Sequence, residues 1–405
     1  MGKDVFEPTG IMLPEETLLD KWSVIACDQF SSQREYWERV RAMVRKAPST
    51  LNMIIPEAFL GEADEETEIS GIRQASGEYL ESGLLRVIDD SFVYVERTLP
   101  DGCVRRGLVG TVNLDEYDFT GQAAAVRASE GTVLDRLPVR IRIRRAVDLE
   151  SPHIILFIED KEKTVIEPLS DKADKLPLLY SFELMEGGGH IKGMRVAGDD
   201  IASVVDGMRA LHDKNGILMV VGDGNHSLAA AKMYWDEIKK SLSDAERDMH
   251  PARKALVELN NVYDPSISFK AIHRVVLDIE PAEVLRFLED AVPKGTDYQL
   301  RWVYNGKSGS IGCKAECIGD MLEAVQGTLD RYVSDNGGYI DYIHDEDSVM
   351  RLASGDRCFG LLLPSMDKSE LFGTVALKGV FPRKSFSVGN PRDKRYYLEC
   401  RRIGN

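Results

Sequence analysis

Apolar positions along the chain fall into two rhythms, one of period two and one near 3.6, separated by glycine- and proline-rich breaks. WSVIAC, residues 22–27, reads as a short buried strand running into the loop DQFSS. Ser32 and Glu35 then have the spacing of a capping box, and Tyr36, Trp37, Val40 and Val44 recur on one helix face. A second helix is expected over 64–82, ending at Gly83. Two alternating runs flank Pro100-Asp101-Gly102 and predict a hairpin. In 136–146, RLPVRIRIRRA, Val139, Ile141 and Ile143 alternate with arginines, as on a strand with one solvated face.

IILFI, residues 154–158, is a continuous apolar run, which predicts a central strand. SFELMEGGGHIKGMRV predicts another hairpin, with Gly187, Gly188 and Gly189 at its turn. Ile201, Val204, Val205, Met208 and Leu211 mark an amphipathic helix that Asn215-Gly216 ends. Beyond 255, the runs ALVELNNVY, DYQLRWVY, GYIDYI, RCFGLLLP and FGTVALK read as strands, between helices near 281–291 and 317–333. The fold expected is mixed α/β, with a central mixed sheet, helices on both faces and a β-rich C-terminal region. The division is placed as a main α/β region at 1–260 and a C-terminal region at 261–405, or one continuous domain.

GILMVVGDGNHSLAAAKMYW, residues 216–235, concentrates the polar chemistry. Ile217 to Val221 form an apolar strand covered on both faces, and Leu228, Ala231, Tyr234 or Trp235, and Ile238 recur at helical spacing. The loop GDGNHS therefore joins a strand's carboxyl end to a helix amino end, where ligands of open α/β sheets bind. Open amides and the helix dipole attract anions there, phosphate above all. Gly222 and Gly224 allow close backbone approach or positive φ. The amides of Asn225 and Ser227 and the imidazole of His226 face that anion. Asp223 does not fit a pure phosphate cradle. It fits a magnesium ligand or a proton acceptor for a hydroxyl, while His226 fits a phosphate donor or an acid/base. Asp, Asn and Ser also serve as plain turn and cap residues. The loop lacks the lysine and spacing of a Walker motif.

Composition narrows the partners. With 67 acidic and 51 basic residues, the net charge of −16 disfavours nucleic acid. No window approaches the apolar length of a membrane span, and the acidic start lacks a signal-peptide core. Gly2 follows Met1, but Phe6 stands where a myristoylation signal has Ser or Thr. The six cysteines are scattered without a zinc-site pattern, as for reduced thiols, and a cytoplasmic location is expected.

Several stretches resemble, in order, the family catalogued as domain of unknown function 1015. The 222–227 loop is similar to its signature of aspartate, glycine, two histidines and arginine. VRASEGTVLDRLPVRIRI at 126–143, SPHIILFIED at 151–160, AIHRVV at 271–276 and FPRKSFSVGNPRDKRYYLECR at 381–401 follow the family's other segments. The family is distantly similar to the ParB/sulfiredoxin group, which includes archaeal free-serine kinases. The resemblance implies a nucleotide phosphate site, with ATP or ADP and Mg2+ as cofactors, and phosphoryl transfer to a small-molecule hydroxyl such as serine. A non-catalytic nucleotide or metabolite sensor on the same fold is the alternative.

Asn225 stands where the family has its first histidine, and Ser227 where it has arginine. Either another base substitutes for that arginine, or the site takes a less charged ligand, or activity is lost. Arg127, Arg274 and Lys384 are the candidate substitutes. Glu130 is the carboxylate to pair with Asp223, one holding metal and the other accepting a proton. His273 and Asp28 are further candidates. The expected partner is a small-molecule substrate, with no membrane, and oligomeric state is left open.

Overall fold

A computed structural model describes residues 4–62 and 64–404, so Gly2 lies outside the described residues. The chain divides into two compact units. The first comprises residues up to Ala128, Thr132–Ile267 and Asn390 onward, and the second comprises Ser129–Gly131 and Ser268–Gly389. The crossing thus lies at 267/268 rather than 260/261, and the last residues return to the first unit. A local reading of composition cannot see that return, because the contacts that make it are distant in sequence.

The first unit is built on a mixed sheet of eleven strands among the described residues. From one edge to the other its main path runs Tyr117–Asp118, Val126–Arg127, Met219–Asp223, Ile155–Ile158, Lys254–Asn261, Val104–Asn113, Leu85–Thr98, Gly189–Val196 and Leu178–Leu184. Met219–Asp223 lies parallel to Val126–Arg127 and antiparallel to Ile155–Ile158, so both of its edges are paired. That explains the unbroken apolar run. Met219, Val220 and Val221 have neighbours above, below and beside them and are fully buried. Both expected hairpins form, and so do helices Glu65–Glu81 and Asp199–Asn215.

Four local expectations are corrected. Residues 22–26 are buried and Cys27 is half-buried, but the run is not a strand. A helical turn ends at Trp22, and Ile25 makes a single bridge to Tyr396. The helix after the DQFSS loop spans Arg34–Val44 with Gln33 as N-cap and no side-chain cap, so the Ser32/Glu35 capping box is not formed. Its apolar face is the expected one, with Tyr36, Trp37, Val40 and Val44 buried.

The arginine-rich run 136–146 is a helix, Leu137–Ala146, not a strand. Pro138 presets its first turn. Arg140 and Arg144, one turn apart, then reach Glu57 at 2.7 Å and Glu150 at 2.6 Å. FGTVALK also lies in a helix, Glu370–Lys378, which buries Leu371, Phe372 and Val375 and ends on a Lys378 pair with Asp320 at 2.8 Å.

The second unit carries a five-stranded antiparallel sheet ordered Lys307–Cys313, Lys294–Tyr304, Cys358–Leu362, His273–Leu277, Tyr339–Ile343. Helices Pro281–Ala291 and Ile318–Asn336 accompany it, near the expected positions. No described helix is long and apolar enough to cross a membrane.

Candidate functional site

The strand Met219–Asp223 breaks register between Val221 and Asp223, so Gly222 sits in a bulge. A Cβ there would lie 2.2 Å from the ring of Phe157, which the sheet core holds fixed. Glycine is required by space. Gly222→Ala is expected to cost about 2 kcal/mol through overpacking, read as a lowered denaturation midpoint. An unchanged midpoint would show that the ring yields freely. Gly224 is required by conformation instead, with φ +80° at the N-cap of the following helix.

That helix, Asn225–Ile238, begins with no side-chain cap. Its first amides lie in a half-buried loop at the carboxyl end of a central strand. Asp223 accepts the Gly224 amide on Oδ1 at 3.0 Å. Its Oδ2 is buried without a hydrogen-bond donor and faces the Lys394 ammonium at 3.5 Å. Both side chains are nearly enclosed, Lys394 at 10% and Asp223 at 13% exposure, so solvent screens this pair little.

Lys394 is aimed by its backbone. Arg97 lies fully buried and gathers the carbonyls of Arg392 at 2.6 Å, Asp393 at 3.2 Å and Lys394 at 2.5 Å, together with Gly188 at 3.0 Å. Arg105 adds a second donor to the Asp393 carbonyl at 2.6 Å. On the other side, Arg395 donates to Glu258 at 2.8 Å and to Glu399 at 2.6 Å. The chain entering and leaving Lys394 is therefore fixed by charge-assisted hydrogen bonds before its ammonium meets anything.

Asp28 belongs to the same group of charges. Burial pushes its carboxyl up, but His153, a hydrogen bond from Gln29 at 2.9 Å, Lys394 and Arg140 outweigh burial and hold it below the usual range. Next to it, burial and the Asp28 charge push the Cys27 thiol up to about 12, so this sulfur stays protonated and is a poor nucleophile. Tyr397 accepts the Cys27 amide at 3.4 Å and stacks edge-on against His153 at 5.1 Å.

A cavity of about 330 Å³ opens beside this group. Ser227 and Ala230 of the site helix, Cys27, His153 and Tyr397 line it on one side, and the Leu137–Ala146 helix lines it along its length. Its volume is that of a small-ligand site. Among the described residues, no group of three or more His, Cys, Asp or Glu could hold a metal ion.

The remaining candidates fall as follows. The His226 Nε2 accepts the Val133 amide at 3.2 Å, so that nitrogen is committed to the backbone. Arg127 lies on the neighbouring strand and donates to the Ala124 carbonyl at 3.3 Å. Glu130, Arg274, Lys384 and His273 all belong to the second unit, whereas Asp223 belongs to the first. Within the second unit, Glu130 accepts the amides of Ser385 at 3.0 Å and Phe386 at 3.5 Å, and burial raises its carboxyl. Arg274 is buried, donates to Gln326 at 2.8 Å and lies over the Tyr342 ring. Burial lowers its guanidinium to about 10. Lys384 is exposed in a turn with φ +59°. The His273 Nδ1 accepts the Leu363 amide at 3.1 Å. Sequence reasoning passed over Lys394, His153 and Tyr397. The basic stretch PRDKRYY was the available signal, and Lys384 was chosen from the same closing segment.

The model of a family described as "Protein of unknown function (DUF1015)" matches residues 8–361. No curated protein matches the chain. Among solved structures, a conserved hypothetical protein from Pyrococcus furiosus is 11% identical with a TM-score of 0.35, over 71% of this chain and 92% of that one. A free serine kinase in complex with AMP is 11% identical with a TM-score of 0.38, over 71% and 90%. SbnI with C-terminal truncation from Staphylococcus aureus is 10% identical with a TM-score of 0.38, over 69% and 82%. Likenesses this distant say nothing about the chemistry of the site.

Proposed function

The chain belongs to the DUF1015 family of proteins of unknown function, and we propose that this member binds a nucleotide by its phosphates at the Gly222–Ser227 loop and transfers a phosphoryl group to a small-molecule hydroxyl. The observation that carries the reading is the buried Lys394–Asp223 pair at the amino end of the Asn225–Ile238 helix. A helix start and a fixed ammonium are what an anion needs. They supply the positive charge that Ser227 cannot, in place of the family's arginine.

A carboxylate beside that anion site is explained by the second substrate. The hydroxyl oxygen bonds to the terminal phosphorus, the bond to the leaving diphosphate oxygen breaks with its electron pair, and Asp223 takes the hydroxyl proton. Magnesium fits one oxygen here, since Asp223 Oδ2 has no hydrogen-bond donor. Bound magnesium would neutralise phosphate charge, and its other ligands would be phosphate oxygens and water. The Lys394 ammonium competes with it for that same oxygen.

Asp223→Asn separates these roles. We expect ADP affinity without magnesium to stay within about twofold, and ATP turnover to fall on the order of a hundredfold. Weakened binding confined to magnesium-containing buffer would assign Asp223 to the metal. A variant unchanged in both assays would remove it from the site. The commitment of His226 Nε2 to the Val133 amide favours a second reading, a sensor that binds without turnover. Tight ADP binding with no ATP consumed across a panel of hydroxyl compounds is the result that would establish it.

A further inference from the structure

The carboxylates and guanidiniums that line the cavity of about 330 Å³ balance in number but are not all paired. Arg140 holds Glu57 at 2.7 Å, and Arg144 holds Glu150 at 2.6 Å. Asp135 and Arg136 line it too and, among the described residues, enter no ion pair. Both stand in the short helical turn Leu134–Arg136, and both are exposed. One end of the cavity therefore offers an open carboxylate and an open guanidinium side by side. Elsewhere its walls are mainly aliphatic, with Val139 and Ile143 half-buried and Leu149 and Ile154 buried. Neither Asp223 nor Lys394 lines it.

We infer that this cavity is a binding site in its own right for a zwitterion with an aliphatic chain, an α-amino acid of the leucine or norleucine kind. The chain enters between the aliphatic walls, the ammonium meets Asp135 and the carboxylate meets Arg136. The ligand's charges stay at the exposed end, each beside an opposite charge, and only methylenes leave water. A lone acid or a lone amine gains one of these partners but is repelled by the other, because Asp135 and Arg136 are adjacent. Such an amino acid carries no hydroxyl, and none is required where Asp223 does not reach. The ligand is thus distinct from the phosphoryl acceptor, and its binding does not rest on the phosphate-site reading.

The test titrates alanine, norvaline and norleucine into the full chain by calorimetry, with hexanoate and pentylamine as norleucine lacking its ammonium or its carboxylate. Affinity should rise about fourfold per methylene from alanine to norleucine. Hexanoate and pentylamine should each bind at least about fivefold more weakly than norleucine, the value of one partly exposed ion pair. Asp135→Asn should weaken norleucine and pentylamine but not hexanoate, and Arg136→Gln should weaken norleucine and hexanoate but not pentylamine. Both positions are exposed, so both variants should keep the native denaturation midpoint. Ile143→Trp should flatten the chain-length series, with the denaturation midpoint reporting that this variant is folded. Affinity flat with chain length in the native protein, hexanoate or pentylamine binding as tightly as norleucine, or norleucine unaffected by both charge variants would overturn the inference. Lys394→Met should leave the whole series unchanged, so a failure of the phosphate site and a failure of this one are read separately.

Discussion

Lys394→Met is expected to weaken ADP binding between tenfold and a hundredfold, the value of one charge-assisted hydrogen bond to phosphate. The effect is large because the ammonium is nearly enclosed and held in place. The ammonium is held at 10% exposure, its backbone is pinned by Arg97 and Arg105, and solvent counterions reach it poorly. The substitution also leaves the Asp223 carboxylate facing the anion without its cation, so like-charge repulsion adds to the loss. A Lys394→Met/Asp223→Asn double variant removes that second term and should recover part of the affinity. The two effects then separate as in a double-mutant cycle. A single variant that binds ADP within twofold of the native protein would show that Lys394 does not meet the ligand. Isothermal titration at one fixed salt concentration reads all of these outcomes.

The largest stability effect is expected at Glu258, whose carboxylate lies between Arg395 at 2.8 Å and Arg105 at 3.7 Å. All three side chains are about 4% exposed. Glu258→Gln keeps the shape but leaves two guanidinium groups competing for fewer acceptors, at a cost of about 3 kcal/mol near neutral pH. The cost should depend on pH in a defined direction. Burial raises the Glu258 carboxyl, but Arg105 and Arg395 outweigh burial and hold it below the usual range. As pH falls, the unfolded chain therefore takes up the proton first. The stabilisation is complete above about pH 4.3, the ordinary glutamate value, and is lost as pH drops through the lower folded value. Urea denaturation of both proteins should show the difference at pH 7 and a shrinking difference below pH 4. A constant difference across that range would contradict the charge account and leave only a shape effect.

What was legible in the sequence was local. The strand, glycine turn and helix at 216–235 could be read because apolar run, breaker and periodicity lie within twenty consecutive positions. Tyr36, Trp37, Val40 and Val44 declared their helix face in the same way. The arginine-rich helix misled because a short run with apolar residues at 139, 141 and 143 fits a strand period, and only tertiary partners reveal the other solution. Arg140 meets Glu57, which is 83 residues away, and Arg144 meets Glu150 six residues on, past the end of the helix. FGTVALK misled for a related reason. Its helix packs so closely on its neighbour that a Cβ at Gly319 would lie 2.5 Å from Thr374, a contact no local pattern announces. Lys394 was missed because its significance is set by Arg97, Arg105 and Asp223, none of which is near it in sequence.

The central claim is that the Gly222–Ser227 loop and Lys394 together form an anion site for nucleotide phosphate. A crystal structure of the full chain grown with ADP tests it most directly. The account predicts a phosphate within hydrogen-bond reach, about 3 Å, of the amides at the start of the Asn225–Ile238 helix and of the Lys394 ammonium. ADP bound with its phosphates on another loop, or an unaltered Lys394–Asp223 pair with no ligand at millimolar ADP, would contradict it.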